Sequence, residues 1–173
     1  TYWTYLIAAL AISGAPLTAG FFSKDQVLWQ AYAGLGGSVW LWLGAWVTAG
    51  LTAFYMFRQF FMVFHGKCNL KEDIKAHLRE SPKVMTVPLL FLALGSIFSG
   101  WLGTPDYMLG DSFKIWLDPI FGSTGGLHYG EPTKEFFMMI LTLGIAGFGI
   151  YLAFASYCQA GKLPDKLSIW GAG

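Results

Sequence analysis

The stretch SGAPLTAGFFSKDQVL, residues 13–28, decides the fold because it places two charged residues inside a long apolar segment. The 23 residues before Lys24 carry no charged side chain, and Lys24 is followed at once by Asp25. Ionisable groups are costly within a bilayer and usually face a polar cavity or another protein group. The setting of Lys24 and Asp25 therefore depends on what the surrounding segments are.

The composition of the chain is that of an integral membrane protein. Of its 173 residues, 55% are hydrophobic and only 12% are charged, whereas a soluble domain has about 25% charged residues. The net charge of +1 gives no support to nucleic-acid binding. The lipid bilayer is the expected partner.

Four hydrophobic segments account for most of the chain: 1–33, 39–64, 84–103 and 136–160. A membrane-spanning helix needs about 20 apolar residues, so each of the last three segments is predicted to span once. As one straight helix, segment 1–33 would be about 50 Å long, which exceeds a hydrocarbon core of about 30 Å. We therefore expect an all-α membrane protein with four transmembrane helices, the first of them broken in mid-membrane.

The predicted break lies at Gly14, Ala15 and Pro16, with a second interruption expected at Gly20. Glycine weakens a helix, and proline removes an amide donor and clashes with the preceding turn. Backbone groups freed by a break in the membrane must be satisfied by a cavity or by neighbouring protein. Broken helices of this kind form the ion and substrate sites of many transporters.

Basic residues in the loops predict the orientation. Segment 65–83 contains five lysines and arginines, 104–133 contains one and 34–38 contains none. Lys and Arg favour the cytoplasmic side. We expect 65–83 and the tail 161–173 to be cytoplasmic, and 104–133 to be an outside loop.

Segment 67–80 has a helical pattern of its own. Leu70, Ile74 and Leu78 recur every four residues, and a basic stripe recurs at the same interval beside them: Lys67, Lys71, Lys75 and Arg79. This pattern predicts a short cytoplasmic amphipathic helix. The helix lies either on the membrane surface or against the protein itself, and the sequence does not separate the two.

Lys24 and Asp25 have two interpretations. Desolvation disfavours the charged form of a buried lysine, so Lys24 could load and release a proton near a movable acid such as Asp25. Adjacent residues on a helix point about 100° apart, so Asp25 could instead pair with another helix. In the structural alternative, Lys24 extends to the interface and Asp25 caps the second half-helix.

Three further polar residues are candidate accessory groups for ion movement. Arg58, near the inner end of its span, could reach the interface or anchor a polar chain across the bundle. His65 could relay protons because histidine as a residue type has a pKa near neutrality, and Glu80 precedes a Ser-Pro helix entry. The sequence contains no phosphate-binding loop, nucleophile motif or metal-ligand cluster, so movement of ions is the expected chemistry.

Three stretches together resemble a known family: SGAPLTAGFFSKDQVL at 13–28, TAFYMFRQFFMVFHG at 52–66 and ESPKVMTVPLLFLALGSIFSGWLG at 80–103. Their order and spacing resemble the antiporter-like subunit L of respiratory complex I, the proton-pumping NADH:quinone oxidoreductase. Mrp-type cation/proton antiporter subunits and hydrogenase membrane subunits belong to the same group. The GFFSKD run is the most specific part of the resemblance.

The resemblance implies a fold and a site. Family members contain two inverted five-helix repeats, each with a broken helix and a buried lysine or glutamate. Lys24 falls on the lysine of the second repeat and Asp25 on the acid beside it, so the chain would be a fragment from the C-terminal half. The chain departs from the family at Leu17, where a second proline is frequent, and at Gln26, where a glutamate is common.

The resemblance also implies a function within a complex. This chain would move protons through a lysine-centred half-channel, driven by quinone reduction in other subunits, in the cytoplasmic (inner) membrane of a bacterium. NADH, FMN, iron–sulfur clusters and quinone would bind elsewhere, with no cofactor, metal or redox chemistry in this chain, and the other membrane subunits would be its partners. A sodium/proton antiporter subunit, a hydrogenase membrane subunit and a structural membrane module remain the alternatives.

Overall fold

The computed structural model describes residues 1–34, 36–66, 80–103, 116, 119–120 and 132–159. Within these residues the fold is all-helical, as predicted. The five longer α-helices are α1 (Tyr2–Ser13), α2 (Ala19–Ala33), α3 (Val39–Phe64), α4 (Lys83–Phe98) and α5 (Pro132–Phe154). A 3₁₀ turn, Ser99–Gly103, extends α4, and a π-helical turn, Ala155–Gln159, extends α5.

Three helical segments in the described part of the chain are long and apolar enough to cross a membrane: Val39–Phe64, Lys83–Leu102 and Thr133–Cys158. The helices α1 and α2 are shorter, with 12 and 15 residues. Their joint crossing as one broken span, and hence a total of four spans, stays a prediction. The predicted amphipathic helix 67–80, the outside loop 104–133 and the tail 161–173 lie largely or wholly outside the described residues.

The chain leaves helical geometry between Ser13 and Ala19. Gly14 adopts a left-handed conformation with φ 82°. Its amide donates to the carbonyl of Ala11 at 3.0 Å, and the amide of Ala15 donates to that of Leu10 at 2.9 Å. These two bonds form a Schellman motif, in which glycine supplies the left-handed residue that ends the helix.

Gly20 does not interrupt the helix as we expected, because it lies in the first turn of α2. A Cβ placed on Gly20 would lie only 1.8 Å from the carbonyl oxygen of Ala11. Gly20 therefore serves close packing: its missing side chain lets the start of α2 lie directly against the backbone of α1.

The helices α3 and α5 run parallel and in close contact. The indole N–H of Trp46 donates to the carbonyl of Leu141 at 3.1 Å. Further along both helices, a Cβ on Gly149 would lie 2.5 Å from the carbonyl oxygen of Gly50. Small residues permit such an approach between membrane helices, so these contacts fix the register of α3 on α5.

A hydrophobic core fills the end of the bundle at which α1 begins and α3 ends. Its buried members are Ala9, Phe57, Phe60 and Ala153, around which Tyr2, Tyr5 and other partly buried side chains pack. By contrast, Ala93 is the one buried residue of α4. Aromatic side chains therefore close the bundle at the end that the basic loops predict to be cytoplasmic.

The helix α5 begins at Pro132, four residues before the predicted start of that span at 136. The charges of Lys134 and Glu135 favour a loop, which is why the sequence pattern places the start of the span after them. Proline suits the first turn of a helix, where its missing amide proton leaves no hydrogen bond unmade. The earlier start makes Glu135 part of the bundle.

Candidate functional site

Lys24 lies over the interruption between α1 and α2. Its ammonium group donates to the carbonyl of Ser13 at 3.5 Å and to the carbonyl of Ala49 in α3 at 3.4 Å. The Cδ of Lys24 would be 3.3 Å from a Cβ placed on Gly14. The side chain therefore crosses the break and joins it to the middle of α3.

The interruption creates one of the two acceptors of Lys24. The last four carbonyls of a helix have no partner within that helix. The Schellman motif satisfies those of Leu10 and Ala11, while the carbonyl of Ser13 accepts from Lys24. The negative end of the α1 dipole lies at the same place and favours a cation.

Lys24 is remote from both ends of α3. Its acceptor Ala49 is ten residues after Val39 and fifteen before Phe64. At a rise of 1.5 Å per residue, these separations are about 15 Å and about 22 Å. The ammonium group thus lies at an intermediate level of this helix.

Asp25 is buried but is not the partner of Lys24. In the described part of the chain the two form no ion pair, and Asp25 is 9% exposed. Asp25 is the seventh residue of α2, whose N-cap is Thr18. Asp25 is therefore not the helix cap that the structural alternative requires.

A second buried carboxyl group belongs to Glu135 on α5. The helices α2 and α5 are in contact. Glu135 is only 4% exposed. Sequence reasoning missed Glu135 because a charge at the edge of an apolar run is typical of a loop. The available signal was Pro132, because proline is frequent at the first position of a helix.

The three accessory candidates do not join Lys24. Arg58 lies along α3 beyond Ala49, with its guanidinium 5.6 Å from the ring centroid of Tyr157. His65 is the C-cap of α3, and its ring centroid lies 5.3 Å from that of Phe60. Glu80 is exposed and accepts a hydrogen bond from the hydroxyl group of Thr1.

The end of α1 contains a polar group without a partner. Ser13 is 0% exposed, and its hydroxyl has no hydrogen-bond partner among the described residues. Buried hydroxyl groups are normally satisfied by protein or by ordered water. The residue that gives Lys24 its carbonyl acceptor therefore also holds a buried hydroxyl that water can satisfy.

The arrangement suits the binding and release of a proton by Lys24. Backbone carbonyls are neutral acceptors, and the bonds they form with Lys24 are at the long end of the normal range. Neutral acceptors hold an ammonium group less strongly than a carboxylate does, so proton loss leaves neither acceptor with an uncompensated charge. No group of three or more His, Cys, Asp or Glu residues that could hold a metal ion occurs within the described ranges.

Comparison with known proteins shows similarity to subunits of one type of oxidoreductase. The NADH-quinone oxidoreductase subunit L of Mycobacterium tuberculosis is 40% identical over 162 residues, covering 92% of this chain and 24% of that protein. The NAD(P)H-quinone oxidoreductase chain 5 of a Picosynechococcus species is 36% identical over 189 residues, covering 97% and 27%. The subunit L of Neisseria meningitidis is 32% identical over 187 residues, covering 96% and 27%.

These matches extend over nearly the whole chain and therefore include Lys24 and the helices around it. The chain spans about a quarter of the length of the curated relatives it matches. No protein-family model matches the chain. The resemblance carried by GFFSKD is nevertheless confirmed by several relatives, and the chain belongs to the family of NADH-quinone oxidoreductase subunit L.

Proposed function

We propose that this chain is part of a proton-translocating membrane subunit of an NADH:quinone oxidoreductase in the cytoplasmic membrane of a bacterium. Lys24 acts as a transiently protonated carrier in the membrane, and quinone reduction in other subunits of the complex supplies the energy. The names of the relatives support the complex and its quinone substrate. NADH, flavin, iron–sulfur clusters and quinone bind in those other subunits.

The single observation that carries the proposal is the bonding of Lys24. The ammonium group lies at a helix interruption and donates to two backbone carbonyls, those of Ser13 and Ala49. A purely structural lysine would gain more from a carboxylate partner, because charge-assisted hydrogen bonds are the stronger ones. A permanent ion pair would also hold the proton of Lys24 too firmly for its release.

Asp25 has a second role in this mechanism. Its position next to Lys24 in the chain and its burial put a proton acceptor on the same helix. Because Asp25 is not bonded to Lys24 in the described structure, proton transfer between them needs a side-chain movement or an intervening water molecule. Asp25 then carries the proton away from the break.

The test is the variant Lys24→Ala in the complete protein in its native membrane. We expect assembly to be retained and proton translocation per NADH oxidised to fall at least tenfold. Gly44→Ala is the matched control, because a Cβ on Gly44 meets nothing within 4 Å. Undiminished pumping by an assembled Lys24→Ala protein would overturn the proposal.

The same membranes separate the proposed function from its closest alternative. A sodium/proton antiporter subunit would show transport that depends on added sodium and is independent of NADH. We expect NADH-driven proton translocation without added sodium. A structural module would tolerate Lys24→Met with no loss of either activity.

A further inference from the structure

Two buried carboxyl groups lie on α2 and α5, two helices that contact each other, and the mechanism above uses only one of these groups. Asp25 is 9% exposed and Glu135 is 4% exposed. They are 110 residues apart in the sequence and lie on helices that contact each other. Burial of two carboxyl groups in one apolar bundle is costly, so their presence needs a functional reason.

The outer end of the bundle is the end at which α3 and α5 begin. Glu135 lies nearer to this end than Lys24 does. Trp46 on α3 is level with Leu141 on α5, because its indole donates to that carbonyl at 3.1 Å. Lys24 contacts Ala49, just beyond this level toward the inner end, while Glu135 is six residues before Leu141. At 1.5 Å per residue, Glu135 lies about 9 Å nearer to the outer end of α5 than Leu141 does.

The outer part of the bundle also contains an unpaired donor. Trp42 is 9% exposed, and its indole N–H has no partner among the described residues. Trp42 stacks on Trp46, with ring centroids 5.8 Å apart. By the register above, Trp42 is level with Phe137 of α5, two residues from Glu135.

These groups together suit a bound water molecule. A water molecule accepts a hydrogen bond from an indole N–H and donates to carboxylate oxygens. Buried water normally makes about three hydrogen bonds to groups that protein leaves unsatisfied. No hydrogen bond joins Asp25 and Glu135 directly in the described structure, so proton transfer between them requires bridging water.

We propose that Glu135 is a proton-transfer residue that receives protons from Asp25 through a bridging water at the outer end of the bundle. The proposal deepens the proposed function and rests on it. In the step, the O–H bond of the Asp25 carboxylic acid breaks as its proton passes to the water. The water passes a proton to the Glu135 carboxylate, and Lys24 then reprotonates Asp25.

The inner side of Lys24 has no buried carboxyl group among the described residues. Ala9, Phe57, Phe60 and Ala153 fill that end of the bundle with apolar side chains. A proton released by Lys24 therefore meets carboxyl groups in one direction and an aromatic core in the other. This asymmetry gives the transfer its direction.

The experiment compares Glu135→Gln with Glu135→Asp in the complete protein in its native membrane. We expect Glu135→Gln to reduce proton translocation per NADH at least fivefold with assembly retained, and Glu135→Asp to restore half or more of it. The control is Phe136→Leu at a neighbouring exposed position. The double variant Asp25→Asn with Glu135→Gln should translocate as many protons per NADH as the more severe of the two single variants, because both residues serve one path.

The outcomes separate this inference from the function on which it rests. Loss of pumping in Lys24→Ala with normal pumping in Glu135→Gln would overturn the role of Glu135 and leave the carrier role of Lys24 intact. Normal pumping in both would overturn the two proposals together. If Glu135→Gln fails to assemble, the double variant Asp25→Asn with Glu135→Asp takes its place. A loss of proton translocation equal to the two single-variant losses combined would overturn the relay. A loss equal to the larger single-variant loss would support it.

Discussion

Gly20 provides the sharpest test of how the interruption is packed. In Gly20→Ala, the new Cβ would lie 1.8 Å from the carbonyl oxygen of Ala11 and 2.7 Å from its carbonyl carbon. Ordinary van der Waals contact begins at 3.4 Å, so α2 must move away from α1 by about 1.6 Å. The obstacle is backbone, which cannot rotate aside as a flexible side chain would.

The expected cost follows from this displacement. Overpacking of a close contact costs about 1–3 kcal/mol, and we expect the upper end because the new methyl group meets backbone. A loss of about 3 kcal/mol lowers the folded-to-unfolded ratio about a hundredfold. The same movement would break the bond from Lys24 to Ser13, which is already 3.5 Å long.

The assay is thermal unfolding of the purified protein in detergent, together with proton pumping in native membrane vesicles. Gly44→Ala and Gly147→Ala are the controls, because a Cβ at either position meets nothing within 4 Å. We expect both controls to unfold at or slightly above the wild-type temperature, since alanine favours helix over glycine by about 1 kcal/mol. If Gly20→Ala matched the controls in unfolding temperature and in proton pumping, Gly20 would not lie in close contact with the backbone of α1.

Other substitutions test separate contacts of the bundle. Leu17 has φ 68°, so Leu17→Gly should raise the unfolding temperature by relieving about 1 kcal/mol of strain. Leu17→Pro should lower the unfolding temperature, because proline requires a negative φ. The reverse order of unfolding temperatures would contradict the positive φ at this residue. Gly149→Leu should destabilise the protein relative to Gly147→Leu, because a Cβ on Gly149 lies 2.5 Å from the carbonyl oxygen of Gly50, and equal unfolding temperatures would exclude the close contact. Phe57→Ala should speed the decay of a proton gradient in vesicles after NADH is exhausted, and an unchanged decay would show that this ring does not seal the inner end.

The sequence predicted the interruption between α1 and α2 because its cause is local. Gly14 and Pro16 act on their own backbone, and the left-handed conformation of Gly14 ends α1 where the Gly-Ala-Pro run begins. Hydrophobic segment lengths likewise predicted α3, α4 and α5. The same local reasoning gave the wrong role to Gly20, because whether a glycine breaks a helix or packs against another one depends on which neighbour it meets.

The partners of the charged residues could not be predicted in the same way. Lys24 donates to the carbonyl of Ala49, and any residue type supplies a carbonyl, so no sequence pattern marks the acceptor. Glu135 contributes to the site only through the packing of α5 on α2. Sequence reasoning finds an ionisable group in an apolar segment, whereas tertiary contacts decide what that group faces.

The departure at Leu17 shows how the backbone explains a sequence difference. The resemblance implies that a second proline is frequent where this chain has Leu17, and the φ of 68° at this position excludes proline. The carbonyl of Leu17 accepts a hydrogen bond from the indole of Trp101 at 3.3 Å. The interruption in this chain is therefore held partly by the 3₁₀ turn that extends α4.

A lysine that carries protons must change its protonation state during turnover, so direct observation of Lys24 tests its proposed role. The measurement is the ¹⁵N resonance of the Lys24 amine in ¹⁵N-lysine-labelled protein in native membranes, assigned by its absence from Lys24→Arg. We predict that a neutral-amine signal appears while NADH is being oxidised and disappears when oxidation stops. An ammonium signal that persists unchanged with and without NADH would contradict the carrier role of Lys24.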